Sequence, residues 1–477
     1  MKLIIQNSFC TLVDFPVSSI DQVKAKLTYT NEEVILQKQT LYYQMRRVNG
    51  PYREVLMAKF QALGPDQVCL LVGNQFPTGL LHIVYPTIVD SKYDIIDKRV
   101  KPELEHIFRW NNIPPPARYY QTEAVDAFLA KGRGVLQMAV GVGKTLVATN
   151  IIKQLGVTTL FVVPSSALLT QAHDVFALAF GQKIVQNITS NDIKKGKKLK
   201  PIRVVTIQTI ASLFKQGILY ILLNDVGLII NDEVHHSASM SYFSLLKSIE
   251  GIYYRLGLSG TYMRNDSKTL DLWGVSGEVV YDYPADIATK EGYLCPVEFN
   301  IVKVNGKYNK KYQDEYRDNY SSIHFLEGVS NIVKTIPQDK SILILVDRKD
   351  NCGKLIYEFL KEQGITATYI TGDNTKDEVR DAMDAFNSKS IHILIASTVL
   401  GEGCDLKSTD CLLMCKGGKS EIVFTQSVGR AVRLFPGKSI ATVWDFHFVG
   451  CRYLRRHLDQ RIEIYEKQFS GKVNYLS

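Results

Sequence analysis

The sequence has little cysteine and no long apolar run. Its 477 residues contain eight cysteines, far too few for a disulfide-stapled secreted scaffold, and the nearest of them, Cys404, Cys411 and Cys415, lack the paired spacing of a zinc ribbon. Reduced core thiols in a cytoplasmic chain are therefore expected. Met1–Asp14 offers only the short apolar run Leu3–Ile5, and no stretch approaches the roughly 20 apolar residues of a membrane helix, so neither export nor membrane insertion is expected. A dominant charge is also missing. Lys plus Arg number 57 against 48 Asp plus Glu, and the net charge of +9 favours polyanionic partners without the charge density of a histone-like binder. No short-period repeat is present. With 45% hydrophobic and 22% charged residues, the chain is neither disordered nor a collagen or coiled-coil rod.

What is there is length and rhythm. A single core stops growing near about 250–300 residues, so two large domains with smaller appendages are expected. Residues 1–110 read as a small α+β segment of short runs, including Val68–Val72 and Leu80–Val84, broken by turn residues. Pro114, Pro115 and Pro116 mark a linker. Beyond them, apolar runs at Val135–Met138, Thr159–Val163, Arg203–Ile207 and Val226–Ile230 alternate with helical stretches such as Lys144–Leu155, closed by Gly156. The βαβ rhythm restarts at Ile342–Val346, Thr366–Ile370, His392–Ala396, Cys411–Met414 and Ile440–Val443. This predicts α/β domains over 111–285 and 338–450, a connecting region over 286–337, and a helical tail over 451–477 with its helix at Tyr453–Phe469.

Three motifs carry chemistry. Gly141-Val142-Gly143-Lys144-Thr145-Leu146 follows a predicted strand and opens a helix, the context of a phosphate-binding loop. Backbone N–H groups would cradle phosphates, Lys144 would supply a point charge and Thr145 a hydroxyl for Mg²⁺. The full pattern wants glycine where Met138 stands, so a bland glycine-rich turn competes. Leu228–Asn231 then delivers Asp232 and Glu233 at the carboxyl end of a strand, where open α/β sheets bind ligands. Asp232 would hold Mg²⁺ and Glu233 would polarise an attacking water; an acidic turn without function is the alternative. Gln426, Arg430 and Arg433 fall in the second α/β domain. Arginines three apart on one helix face could reach a phosphate across a cleft, or could be a solvated face.

The order of these motifs over residues 118–445 resembles that of superfamily 2 helicases, which have two tandem RecA-like motor domains. Arg118-Tyr119-Tyr120-Gln121 resembles their adenine-recognition element, with Gln121 able to pair with an adenine edge. Ser165 and Gln171, and Thr206, Gln208 and Thr209, resemble strand-contacting motifs whose hydroxyls and amides grip phosphates. Ser259-Gly260-Thr261 resembles the Ser-Ala-Thr coupling motif, with Gly in place of Ala. Ser397 and Thr398 resemble nucleic-acid contacts, and Gly403 and Asp405 nucleotide contacts, of the fifth motif. Within the superfamily, the N-terminal segment, the Asp232-Glu233-Val234-His235 box and the strand Ala441–Asp445 look like phage recombination helicases of the UvsW type. That resemblance implies ATP and Mg²⁺ as cofactors and branched or forked DNA as partner. It further implies branch migration in recombination, repair or replication, with residues 1–110 holding DNA. A restriction-type translocase with nuclease activity, an RNA helicase and an ATP-gated nucleic-acid clamp are the rivals.

Weaker features have plainer readings. Tyr308, Tyr312, Tyr316 and Tyr320 recur every four residues, which suits a helix docking its ring face on the second motor domain better than a base-stacking platform. The run Lys194–Lys200 suits a loop, either solvated or touching phosphates. Adjacent His235 and His236 point apart on an extended turn and do not suggest a metal, and His235 would link the ATP and strand motifs. Asp66 with Asp90-Ser91-Lys92 only loosely fits a nuclease pattern.

Overall fold

The structure is a computed structural model; it describes residues 1–476 except 90–91, 105–107, 235–248, 250, 261–266, 348–351 and 398–405, and only the backbone of 267–268. Two seven-stranded parallel sheets dominate. The first runs in the order Val279–Tyr283, Arg133–Met138, Tyr254–Ser259, Leu228–Asn231, Thr159–Val163, Ile202–Thr206, Val185–Asn187. Its strands are apolar throughout because both faces are covered. Phe161, Val163, Leu228 and Ile230 face one side, packed with Val147, Ile151 and Phe176 of the helices Lys144–Leu155 and Ser166–Phe180. Leu160, Val162, Val205 and Ile229 alternate onto the other side.

That second face carries the N-terminal segment. The segment has a four-stranded sheet of its own, Gln75–Pro77, Phe9–Val13, Lys2–Ile5 and Asp94–Asp97, as expected of a small α+β domain. It is docked firmly, because Leu3, Ile5, Leu12, Leu80 and Val84 belong to one continuous core with Leu160, Val162, Val205 and Ile229. Contact with the helix Ser267–Ser276 is so close that a Cβ on Gly79 would collide with the Trp273 carbonyl oxygen. Tyr29 Oη donates to Asp271 Oδ2 at 2.5 Å, and His82 meets the Trp273 ring edge-on at 5.1 Å. Arg255, which is 2% exposed, donates to Ser8 Oγ at 2.5 Å and to the Ile249 carbonyl at 2.8 Å. Its register neighbour Arg133 donates to the Asn7 carbonyl. Burial pushes Arg133 down to about 10, the expected direction for a desolvated cation. The run Leu80–Val84, read as part of a strand-like pattern, opens the helix Leu81–Ile88.

The second sheet runs Thr368–Ile370, Ile393–Ala396, Ser341–Val346, Thr409–Cys415, Ala441–Val449, Val297–Asn305, Lys472–Leu476. Two expectations need correction here. The region 286–337 is no mere connection, because Val297–Asn305 pairs along its whole length with Ala441–Val449 inside this sheet. The tail 451–477 contains the expected helix Tyr453–Phe469, but then adds the edge strand Lys472–Leu476 alongside Val297–Asn305. In the tyrosine stripe, Tyr312–Tyr320 is helical, and Tyr316 and Tyr320 are buried in the core with Phe325 and Phe448, as the docking reading anticipates. Tyr308 lies outside that helix and is exposed. No helix among the described residues is long and apolar enough to cross a membrane.

Because the N-terminal segment and the first sheet share a core, a chain beginning at residue 105 should expose a broad apolar face. It is expected to aggregate or to melt well below the full chain. A soluble truncated chain with an unchanged melting temperature would overturn this account of the fold.

Candidate functional site

The strand Arg133–Met138 ends where a phosphate-binding loop should begin. Met138 replaces the expected glycine because it is the last strand residue, 1% exposed in the core, and its carbonyl accepts from Lys144 Nζ at 3.4 Å. Gly141 and Gly143 both hold positive φ, 92° and 91°, a conformation glycine adopts without strain. Lys144 begins the helix Lys144–Leu155, and Gly156 ends it at φ 62°. Lys144 Nζ also lies 3.9 Å from Glu233 Oε1.

Asp232 and Glu233 follow the buried strand Leu228–Asn231. Asp232 Oδ1 accepts from the Glu233 N–H at 3.0 Å, and Glu233 itself sits at φ 48°. A left-handed glutamate costs roughly 1 kcal/mol or more, and strain of that kind concentrates at functional positions. Gly260, the departure from Ser-Ala-Thr, has a local explanation: a Cβ there would lie 2.9 Å from both Lys144 Nζ and Val140 Cγ2. With Lys144 in this position, alanine does not fit.

The second domain completes the site. A cleft of about 340 Å³ is lined by Gly141, Gly143, Lys144, Thr145, Asp232 and Glu233 from one side and by Gln426, Arg430 and Arg433 from the other. The helix Glu421–Ala431 approaches so closely that a Cβ on Gly429 would stand 2.7 Å from Val140 Cβ and Cγ1. Arg430 is 8% exposed. Arg433 does not share the helix, which ends at Ala431 with Val432 as its cap, yet it still reaches the cleft. Burial lowers the Arg433 pKa from its ordinary value. A charge is thus held in a poorly hydrated place, as an anion-binding site requires.

Behind this helix, Lys416 donates to Ser427 Oγ at 3.0 Å. Burial is the main cause that pushes it down to about 7; Arg430 and Arg461 act in the same direction, and Asp347 opposes them.

Other expected residues fall in three groups. Arg118 lines the cleft, its guanidinium 4.7 Å from the centre of the Tyr293 ring. Gln121 does not offer its amide to a base: it is 3% exposed, its Oε1 accepts from the Arg118 N–H at 2.9 Å, and its Nε2 donates to the Val142 carbonyl at 2.9 Å. The amide ties the start of the helix Tyr119–Lys131 to the phosphate loop, so the adenine-edge role is corrected to a structural one. Val142 is buried, and Leu146 N–H donates to the Gly143 carbonyl in the first turn.

Gln171, expected on the strand-contacting side, lines the nucleotide cleft instead. Ser165 caps the helix Ser166–Phe180, accepting from Leu168 N–H at 3.4 Å. Thr206 accepts from Thr209 N–H at 3.2 Å, their hydroxyls lie 3.0 Å apart, and Gln208 donates to the Pro164 carbonyl at 3.2 Å. Ser165 and Thr206 thus cap the helices that follow their strands, and Gln208 ties the carboxyl ends of the two neighbouring strands together. Ser397 follows the strand Ile393–Ala396 in the second domain. Thr398, Gly403, Asp405, Thr261, His235, His236, Asp90 and Ser91 lie outside the described residues. In the lysine run, Lys197 Nζ meets Asp192 at 2.5 Å and Lys200 Nζ donates to the Gln182 and Val185 carbonyls at 2.7 and 3.0 Å, so these two bind the protein itself. Sequence reasoning missed Tyr293 and Lys407, which also line the cleft. Lys407, two residues past Asp405, was within reach of the motif; Tyr293 belongs to no motif.

Comparison with known proteins agrees with this geometry. Residues 115–264 match the family described as type III restriction enzyme, res subunit, and residues 326–435 the helicase conserved C-terminal domain. The chain belongs to the superfamily 2 helicases. It is 25% identical over 393 residues to the ATP-dependent DNA helicase uvsW of Enterobacteria phage T4, covering 75% of this chain and 76% of that one. It is 28% identical over 358 residues to the DNA 3'-5' translocase XPB2 of Sulfurisphaera tokodaii, covering 66% and 78%. In fold it is similar to S. cerevisiae Dbp5 bound to RNA and ADP BeF3, with a TM-score of 0.54, 14% identity, and coverage of 75% of this chain and 89% of that one. As an ATP-dependent helicase it uses a nucleotide.

Gly429→Ala should force the second domain off Val140 and lower ATP turnover at least about tenfold, an increment of roughly 1.4 kcal/mol, with little change in thermal stability. Wild-type turnover in that variant would show that the close approach is unnecessary. The Lys416 shift gives a pH signature. The unfolded chain keeps a proton that the folded chain releases above about pH 7, so stability rises from about pH 7 to about pH 10 and is flat below. Lys416→Met should therefore exceed the wild type in melting temperature by several degrees at pH 6.5, the gap closing by pH 10. A gap independent of pH would disprove the assignment.

Proposed function

We propose that this helicase is an ATP-driven DNA translocase that remodels branched DNA. The observation that carries the reading is the cleft in which Lys144, Thr145, Asp232 and Glu233 of one domain face Gln426, Arg430 and Arg433 of the other. A site divided in this way works only when the two domains come together, which is what couples hydrolysis to movement.

Each side chain has a role in the reading. Lys144 and the N–H groups after Gly141 hold phosphate oxygens, and Gln121 keeps that loop in shape. Thr145 and Asp232 supply a hydroxyl and a carboxylate, oxygen donors suited to Mg²⁺, and the cation would neutralise phosphate charge when bound. Glu233 accepts the proton of the attacking water at its carboxylate. Arg430 and Arg433 meet the charge that develops on the transferred phosphoryl group, reaching it from the opposite domain. Arg118 and Tyr293 offer a cation and a ring face to the base.

On the nucleic-acid side, Ser165, Thr206, Gln208 and Thr209 in the first domain and Ser397 in the second stand after carboxyl strand ends, where backbone N–H groups of capped helices can meet phosphates. DNA is favoured over RNA by the relatives named as DNA helicase and DNA translocase. Branched substrates rest on the likeness to the UvsW type and on residues 1–110, which a plain strand motor does not require.

Glu233→Gln is expected to reduce ATP turnover by at least about a hundredfold while DNA affinity stays within about twofold. Measuring ATPase stimulation by single-stranded DNA, duplex, four-way junction and RNA tests the substrate. Greater stimulation by RNA than by any DNA would refute the DNA reading.

A further inference from the structure

A helical arm stands out from the N-terminal segment. The antiparallel strands Thr28–Thr30 and Gln67–Cys69 form its stem, and the helices Glu32–Met45 and Pro51–Gln61 form its shaft. These helices pack mainly on each other, burying Val34, Met45 and Leu56. The stem is fastened: Asn31 N–H donates to the Asp66 carbonyl at 2.7 Å, Lys38 pairs with Asp66 at 2.7 Å, and Tyr29 holds Asp271 of the motor at 2.5 Å. At the tip, residues 42–53 contain three tyrosines, three arginines and no acidic residue. Tyr42, Tyr43 and Tyr52 are 52, 62 and 60% exposed, and Arg46, Arg47 and Arg53 are exposed beside them. Rings clustered at one tip form a patch where rings scattered singly do not, and a tip that mixes three rings with three cations, with Glu54 as its nearest acid, is complementary to nucleic acid.

We propose that this arm recognises the branch point of DNA, the tyrosines stacking on base faces exposed where a duplex ends and the arginines holding the flanking phosphates. A continuous duplex hides its base faces and offers the rings nothing, whereas a junction or a single strand exposes them. The proposal rests on the branched-DNA reading above and names the surface that makes the choice. Asp66, the acid considered for a nuclease site, pairs with Lys38 at the base of the arm.

The test uses the full chain with two triple variants, Tyr42→Ser/Tyr43→Ser/Tyr52→Ser and Arg46→Gln/Arg47→Gln/Arg53→Gln. Affinity for a four-way junction, a continuous duplex and a single strand is measured by fluorescence anisotropy at two salt concentrations. The tyrosine variant should lose at least about tenfold in junction and single-strand affinity and keep its duplex affinity. The arginine variant should weaken on all three and show a shallower salt dependence. Unchanged junction and single-strand affinity in both variants overturns the proposal. So does a changed oligomeric state with unchanged DNA affinity, which would make the arm a protein contact. If the wild type binds junction and duplex equally, the branched-DNA reading fails. The single-strand arm then still decides: loss in the tyrosine variant supports base stacking by the arm, and no loss ends it.

Discussion

The close approach of Gly429 to Val140 is the contact on which the nucleotide site depends. Without it the chain has a phosphate loop with Lys144 and Glu233 in one domain and an arginine pair in another. With it, both sets line one cleft. Two glycines of the first domain are crowded in the same way, a Cβ on Gly143 standing 2.6 Å from the Gln121 amide nitrogen and one on Gly260 2.9 Å from Lys144 Nζ. The site is assembled by closeness of backbones, and most of its sequence departures follow from that. Gly260 in place of alanine and Met138 in place of glycine are accommodations to packing, and neither removes a group that handles phosphate.

Where a feature depends on neighbours in sequence, it was legible. The helix Lys144–Leu155 and the strand Thr159–Val163 begin and end where the glycines and the apolar run place them. The same holds for the tail helix Tyr453–Phe469. Local signals such as a capping glycine or a run of β-branched residues act on the chain whatever lies around it. The motif residues of the cleft were legible too, because phosphate chemistry demands particular side chains at particular spacings.

What failed was non-local. Val297–Asn305 nearly alternates polar and apolar residues, a strand signal that sequence reasoning missed, but its partner strand Ala441–Val449 lies more than a hundred residues away, and only the pairing places it inside the second sheet. Gln121 carries an amide suited to a base edge, and nothing in its surroundings in sequence says that the Val142 carbonyl will take it. Leu3, Ile5 and Leu12 have the same pattern whether they pack within their own segment or against another sheet. Composition gives the need for burial and leaves the partner open.

That last ambiguity bears on how the molecule would work. Since the N-terminal segment shares its core with the first motor sheet and is pinned to it by Arg133, Arg255 and Tyr29, the arm and the phosphate loop belong to one body. Arg430 and Arg433 belong to the other. Closing the cleft on a nucleotide therefore moves the second domain relative to a body that includes the arm. A translocase needs one grip that holds while another advances. Under the function proposed above, an arm fixed to the first domain would hold the branch while the second domain is carried past it. The firm docking of the N-terminal domain on the first sheet is what would let it resist that movement.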